Sequence, residues 1–498
     1  MEHKFFGHPR GLATLFFTEM WERFSYYGMR ALLLLYMVAS VEEGGLGFDE
    51  KTGGAIYGLY TMLVYLLALP GGWLADNLWG LRKTVFYGAC IISVGHFLLL
   101  LPFLETFFLG LLFIVVGTGM LKPNISSLVG NLYLPHEDAR RDAGYSIFFM
   151  GINIGAFLAP FITGYLGEKI NWHYGFGAAG IGMVLGLIQY KLSEHLLQSK
   201  GSLPSFLAED RQQLTKNKTI FFFAMLIIGL FVLLMMIGII KPNPVSIARI
   251  SAYVIAACAV LYFIFLLFFA ALENAERKSV LTIAVFFFIS VVFYMGYEQQ
   301  GSSLNLFASR YTDMFIGKFE MPASWLQSVP AVSVLIFAPV FAWLWVYLSQ
   351  RKLNPSTPVK LSFGLLFVSA SYALMSAAAL TTFGGQKAIP LWLIMTYVLQ
   401  TFGEICLYPV GLSAVTKLAP KKYSAQLMGV WFMSLALGNL LAGLIAGEMD
   451  AELISVDPQV LVNLFMSIAL VIFVVAVIIL SINKNLMKLA PHAKQVNG

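Results

Sequence analysis

Fourteen predominantly apolar stretches, each of about twenty residues or more, follow one another along the 498-residue chain with short polar breaks between them. An α-helix rises about 1.5 Å per residue, so each stretch can cross the roughly 30 Å hydrocarbon core of a bilayer. The runs are continuous rather than alternating, and about twice as long as a barrel strand, so the spanning element is a helix. The pattern predicts spans at about 12–38, 54–76, 83–103, 106–128, 143–166, 173–192, 217–240, 247–271, 281–308, 325–349, 359–382, 388–413, 424–447 and 459–482.

Composition fits this picture. Hydrophobic residues make up 59% of the chain and charged residues 12%, about half the charged share of a soluble domain. The mean hydropathy is +0.78. Cys90, Cys258 and Cys406 each sit in an apolar run, which makes neither a disulfide framework nor a metal cluster. The first apolar stretch holds Glu19, Glu22, Arg23 and Arg30 and continues to about Val38. It is too long and too charged for the core of a signal peptide.

The net charge of +6 sits mostly in short loops, where it sets orientation rather than binding nucleic acid. One alternate set of loops is basic: Lys4 and Arg10, Arg82 and Lys83, then Lys191, Lys200, Arg211, Lys216 and Lys218. Its later members are Arg351, Lys352 and Lys360, then Lys417, Lys421 and Lys422, then Lys484, Lys488 and Lys494. The other set is acidic or nearly neutral, with Glu42, Glu43, Asp49 and Glu50 early and Glu448, Asp450, Glu452 and Asp457 late. Basic loops stay inside, so both termini are expected in the cytoplasm and the span count is even. The loop with Lys241 and Arg249 runs against the pattern. The polar stretch 193–216 reads as a cytoplasmic linker. The remaining loops are too short for a nucleotide-binding domain, and no P-loop pattern precedes a helix, so ATP-driven pumping by this chain alone is not expected.

The informative residues are ionisable groups inside spans, each costing about 2.5–3.5 kcal/mol at a helix centre. In span one, Glu19, Glu22, Arg23, Tyr26 and Arg30 fall within a stripe roughly 100° wide at about 100° per residue, with Tyr27 on its border. Span four adds Lys122, span nine Glu298 and span twelve Glu404. Charges of this kind can pin helices together, or they can line a wet pathway. Gly and Ala packing pins helices at lower cost, which favours the pathway. Cations gather in the first half (Arg23, Arg30, Lys122) and acids without a sequence partner in the second (Glu298, Glu404), so a cavity between the halves is expected to suit a zwitterion. Tyr26, Tyr27, Tyr65, Tyr294 and Trp431 are candidate lining residues, although aromatics this abundant also serve packing.

Other signals are weaker. His96 in span three has no charged neighbour in sequence and is expected to be a packed or hydrogen-bonded histidine. Gly151 and Gly155 form a small-xxx-small pair that marks close helix packing. Asn153 lies between them, and its sequence context leaves a bond across helices and a cavity role both open. Pro123, Pro339 and Pro409 each remove a backbone donor inside a span. No nucleophile-and-base grouping or metal cluster stands out, and no sizeable soluble domain is present to signal through, which argues against an enzyme and against a receptor. No cofactor is expected.

Three segments carry a family resemblance. Residues 19–37, EMWERFSYYGMRALLLLYM, resemble the ExxERFxYYGxR signature of proton-coupled oligopeptide transporters. Residues 71–85, GGWLADNLWGLRKTV, resemble that family's loop between its second and third helices, a version of the major facilitator loop motif. Residues 148–155, FFMGINIG, are similar to its FYxxINxG signature, with Phe149 where tyrosine is usual. EQQGSSLNLFA, 298–308, resembles its seventh core helix. The likeness runs from about residue 12 to residue 482.

The resemblance implies an all-α major facilitator fold of two six-helix bundles, at 12–192 and 281–482, with the linker 193–216 and two inserted helices at 217–271 between them. It implies proton-driven uptake of di- and tripeptides across the inner membrane, by a multi-pass protein in the lipid bilayer working as a monomer. Arg23 and Lys122 resemble a carboxylate-binding pair, and Glu404 the acid that holds the peptide amino terminus. Tyr26, Tyr27, Tyr65, Asn153, Tyr294 and Trp431 match cavity-lining positions. Glu22, beside Glu19, resembles a proton-linked glutamate paired with Lys122, and Arg30 and Glu298 an outer gating pair. One departure stands out: in WLQSVPAVSVLIF, Pro330 takes the place of a usual asparagine that helps bind the amino end. Nitrate or a peptide-like drug remains an alternative cargo for the same fold.

Overall fold

The computed structural model describes residues 5–134, 137–198, 200–203, 210–239 and 241–489, and of residues 138, 139, 211 and 236 only the backbone. Lys4, Lys494 and part of the predicted linker 193–216 lie outside the described residues. The helices are α1 (Gly11–Val38), α2 (Glu50–Leu66), α3 (Ala68–Leu74), α4 (Gly80–Leu99), α5 (Leu104–Asn131), α6 (Asp138–Lys169) and α7 (Trp172–Ser193). Then come α8 (Arg211–Met236), α9 (Pro244–Ile264), α10 (Asn274–Tyr297), α11 (Ser303–Tyr311), α12 (Val329–Gln350) and α13 (Thr357–Leu380). The last are α14 (Leu391–Leu418), α15 (Ser424–Ala446), α16 (Ala451–Val456) and α17 (Gln459–Leu489). Among the described residues the sheet structure is one small antiparallel hairpin pairing Phe315 with Glu320 and Ile316 with Phe319.

Among the described residues, twelve stretches are long and apolar enough to cross a membrane by length and composition. One of them, Glu50–Leu99, has 50 residues and would extend about 75 Å as a single rod, more than twice the hydrocarbon core. It is two crossings: Gly71 lies against Gly119 and Gly88 against Gly117, so the chain has doubled back between them. The turn falls at Gly80, whose φ of 76° suits glycine and little else. α1 is too charged to qualify on apolarity, yet its 28 residues reach about 42 Å. Twelve, plus one for the doubled stretch and one for α1, makes fourteen.

Two crossings differ from the continuous spans expected. Span two breaks at Leu67 between α2 and α3, where Pro70 three residues on lacks the amide that would bond back into the preceding turn. Span nine, expected unbroken over 281–308, stops at Tyr297, passes through a 3₁₀ turn at Glu298–Gly301 and resumes as α11. Hydrogen bonds inside the protein meet several polar groups at the break, which is what irregular backbone at membrane depth requires. The Tyr372 hydroxyl donates to the Gly296 carbonyl at 2.7 Å, the Gln299 amide to Met295 O at 3.1 Å, and Ser303 Oγ to Gln299 Oε1 at 2.5 Å.

The chain forms two compact units. The first comprises Met1–Leu32 and Leu63–Pro244, the second Leu33–Met62 and Val245–Gly498. The C-terminal end of α1 and most of α2 thus belong with the second unit. Within each unit the helices meet through glycine. In the first, α4 packs on α5 so closely that a Cβ on Gly95 would stand 2.8 Å from Gly110 O, and one on Gly88 2.8 Å from Gly117 O. In the second, a Cβ on Gly403 would stand 2.8 Å from Gly364 O, joining α13 to α14. Lipid tails are as apolar as leucine, so helix association in a bilayer depends on this close backbone approach. Gly151 and Gly155 of α6 sit against Phe16 and Met20 of α1, as their spacing predicts.

The segment after α7 is clasped to the turn at Gly80. The Arg82 amide donates to Gly201 O at 3.1 Å, and its guanidinium to Gln198 O at 2.5 Å and Glu194 Oε1 at 2.7 Å. Tyr190 donates to Arg82 O at 3.0 Å. α8 leans on the same turn, with Asn217 donating to Asn77 O at 3.2 Å and Phe221 edge-on to Trp79 at 5.3 Å. The rest of α8 exposes apolar side chains, as a helix facing lipid does.

Two adjacent glycines test the seams. A Cβ on Gly71 would stand 2.9 Å from Met120 Cα and press on the Gly119 carbonyl, whereas one on Gly72 meets open space. Gly71→Ala should destabilise the fold by about 1–3 kcal/mol through overpacking, and Gly72→Ala should leave it unchanged. Thermal unfolding in detergent reads the difference; equal melting points would show that the seam tolerates a methyl group.

Candidate functional site

The charged stripe of α1 is buried in the first unit, with Glu19, Glu22 and Arg23 at most 3% exposed. Arg23 stands between the two acids: its Nε lies 3.0 Å from Glu19 Oε1 and 2.5 Å from Glu22 Oε2. Glu19 lies four residues before Arg23 and so shares its helix face, whereas Glu22 is its immediate neighbour and reaches the guanidinium from the adjacent position. From α5, Lys122 comes close enough to interact coulombically with both carboxylates. Four groups therefore meet in one cluster, two of each sign. Aromatic rings border it. The Arg23 guanidinium lies 5.4 Å from the Tyr26 ring centre and Lys122 Nζ 4.3 Å from that of Tyr65, while Tyr27 meets Tyr26 edge-on at 5.3 Å. Such contacts favour a cation by about 0.5–2 kcal/mol.

Arg30 lies one stripe further along α1 and is also buried. Asn153 is half-buried on α6, and its amide turns back to Phe149 O in its own helix at 2.9 Å. His96 is fully buried, with its Cβ against Gly180 of α7. It is a packed histidine, as its isolation in sequence predicts.

The second unit holds the other candidates. Glu404 of α14 is half-buried, and its Oε2 accepts a 2.6 Å hydrogen bond from the Tyr297 hydroxyl. Glu298, buried at the break after α10, is within coulombic reach of Glu404. Tyr294 meets Tyr297 edge-on at 6.1 Å, and Phe293 stacks on Tyr297 at 5.4 Å. α15 fits against this helix because Gly438 leaves room for Tyr294. Trp431, 2% exposed on the same helix, covers Gly411 of α14. Pro330 occupies the first turn of α12, where a missing amide donor is harmless.

The sequence reading missed several of these partners. Tyr297 is the immediate partner of Glu404, and the signal for it was its place three residues after Tyr294 on one helix face. Gln300, whose Nε2 donates to Gln400 Oε1 at 3.0 Å, joins the broken helix to α14. Glu50, a loop acid by the charge pattern, pairs with Arg310 at 2.7 Å, tying the start of α2 to the end of α11. Nothing in the linear sequence connects residues 260 positions apart.

Comparison with known proteins adds independent findings. The family model described as POT family matches residues 82–460. A peptide transporter of Yersinia enterocolitica subsp. palearctica, YePEPT, is 42% identical over 96% of this chain and 94% of its own. A di-/tripeptide transporter of Lactococcus lactis subsp. cremoris is 34% identical over 98% of both chains. A crystal structure of the peptide transporter POT in complex with sulfate superposes with a TM-score of 0.89 at 37% identity, covering 98% of this chain and 97% of that one.

The cluster in α1 makes its own prediction. Arg23→Met leaves two buried carboxylates without their shared cation, and breaking a buried pair on one side costs about 3–5 kcal/mol. The variant should give little folded protein. The double variant Glu19→Gln, Arg23→Met, which leaves Glu22 facing Lys122 with the charges equal, should recover most of the yield, as read by gel filtration in detergent. A single variant as stable as the parent would mean that the ion pairs do not hold α1.

Proposed function

The chain belongs to the POT family, and from that premise we propose that it imports di- and tripeptides across the cell inner membrane in symport with protons. It is a multi-pass membrane protein with the major facilitator fold, two six-helix bundles plus two inserted helices. The proposal places both termini in the cytoplasm, where the basic loops belong, and the working unit as a monomer. The observation that supports it is a compensated cluster of two acids and two cations in the first unit, together with a half-buried acid, Glu404, held by Tyr297 in the second.

The half-site in the first unit is balanced as long as Glu19, Glu22, Arg23 and Lys122 are all charged. A proton on one carboxylate leaves the cluster with a surplus positive charge in a place where bare charge is expensive. The carboxylate of a peptide cancels that surplus at Arg23 and Lys122, with Tyr26, Tyr27 and Tyr65 beside them. Proton and substrate thus favour one another's binding, which is the thermodynamic content of coupling. Glu22 is the proposed proton carrier, with Glu19 beside it.

The half-site in the second unit takes the other end. Glu404, oriented by Tyr297, offers an acceptor to the peptide ammonium, and Tyr294 and Trp431 supply walls for side chains. Asn153 is proposed to contact the peptide backbone, and Arg30 and Glu298 to act in gating. Release on the inside returns the proton to the cytoplasm and leaves the four-charge cluster balanced again. An inorganic anion such as nitrate would bring no positive group to Glu404, so the zwitterion is the better fit.

Two substitutions test these roles in proteoliposomes. Glu22→Gln should abolish accumulation of a labelled dipeptide under an inward proton gradient while counterflow exchange persists; continued accumulation would remove Glu22 as carrier. Glu404→Gln should weaken binding of free-amino dipeptides by about 1–3 kcal/mol, the scale of a charged hydrogen bond, and barely change that of N-acetylated ones. Equal losses for both classes would exclude Glu404 as the ammonium site. Excess nitrate should not compete.

A further inference from the structure

A cavity of about 490 Å³ lies wholly within the second unit. α10, α12, α13, α14 and the end of α17 enclose it, and none of Tyr294, Glu298, Glu404 and Trp431 lines it. Its walls are apolar, with Phe286, Ala338, Trp345 and Ile405 among them, and two lysines stand in it, Lys360 and Lys417. No carboxylate is among its lining residues. Lys360 is half-buried and its ammonium lies 4.7 Å from the Trp345 ring centre, held against the apolar wall. Lys417 is exposed at the rim. The surrounding loops and helix ends add Arg351, Lys352, Lys421, Lys422, Lys484 and Lys488.

Two cations without a lining acid select an anion. The volume is far larger than a small inorganic ion requires and falls within the range of sites for organic ligands. Apolar walls behind a basic mouth suit a molecule with a charged head and a hydrocarbon tail. The basic loops mark this end of the unit as cytoplasmic, and basic pockets between membrane helices on that side receive acidic lipid head groups. We infer that this cavity binds an anionic phospholipid of the inner leaflet, its phosphate between Lys360 and Lys417 and an acyl chain along Phe286, Ala338 and Ile405. The lipid would brace the cytoplasmic ends of α12, α13 and α14, the last of which carries Glu404. This inference rests on the proposed orientation of the chain but not on the peptide site.

The test is lipid retention by the purified full-length protein, read by native mass spectrometry after titration with phosphatidylglycerol, phosphatidylcholine or inorganic phosphate. The parent should retain one phosphatidylglycerol in preference to phosphatidylcholine, and inorganic phosphate at the same concentration should not displace it. The double variant Lys360→Gln, Lys417→Gln should weaken retention about tenfold or more. Lys421→Gln, Lys422→Gln, outside the lining, should not. Ala338→Trp, which fills the cavity without touching charge, should also abolish retention. Gel filtration and dipeptide counterflow confirm that each variant is folded. Undiminished retention by the lysine and tryptophan variants overturns the inference, and displacement by phosphate alone reassigns the site to a free anion. Loss of counterflow in the parent would instead count against the peptide reading. Membrane-impermeant labelling of Ser356→Cys in inverted against right-side-out vesicles reads the orientation by itself.

Discussion

The structure depends on a cation held between two acids in the middle of α1. Arg23 cannot leave Glu19 and Glu22 without stranding charge in a place that neither water nor lipid can solvate. The charged stripe fixes the rotation of α1 about its axis, because it must face protein and Lys122 of α5 rather than lipid, while the ion pairs within α1 keep its charges compensated. Once the stripe is turned inward, Lys122 and the rings of Tyr26 and Tyr65 have a partner to gather around. A cluster of equal opposite charges is also sensitive: adding one proton changes its net charge, and a second ion of the right sign restores it. Stability and responsiveness come from the same four groups.

Such a cluster needs rigid surroundings, and glycine provides them. Gly88 on Gly117, Gly95 on Gly110 and Gly364 on Gly403 bring backbones into contact where side chains would hold them apart. The same device recurs in both units, between the third and fourth spans of each six-helix set. The break after Tyr297 is the complementary case. There the helix gives up its regular bonding, and the side chains of Tyr372 and Gln299 donate to the backbone carbonyls of Gly296 and Met295, with Ser303 holding the Gln299 side chain in turn. The irregular backbone begins at Glu298, the residue after Tyr297, so the tyrosine that holds Glu404 stands at the end of a helix while Glu404 itself stands on a continuous one.

The charges that make the half-sites also separate two kinds of basic residue. Arg23 and Lys122 are buried or half-buried among acids and rings, whereas Lys360 and Lys417 stand in a cavity whose lining has no acid. The first pair is internally compensated and acts when the compensation shifts. The second has to find its counter-charge elsewhere, and an acidic membrane surface offers one continuously.

The sequence by itself determined the helical, membrane-crossing character of the chain, because hydrophobic runs of that length admit few other solutions. It also determined which residues were too costly to be lipid-facing, and so picked out the stripe of α1, Lys122, Glu298 and Glu404 before any coordinates. Its limits lay in pairings between distant elements. That Tyr297 binds Glu404, that Glu50 meets Arg310, and that Arg82 clasps the segment after α7 depends on which helices are neighbours, and periodicity along one helix carries no record of that. The breaks at Leu67 and Glu298 escaped for a related reason: hydropathy measures greasiness, not hydrogen bonding, and a broken helix survives only where tertiary partners such as Tyr372 replace the lost bonds. Solvent preference is a local property and is written in the chain residue by residue. Who touches whom is a collective property, and packing alone decided it.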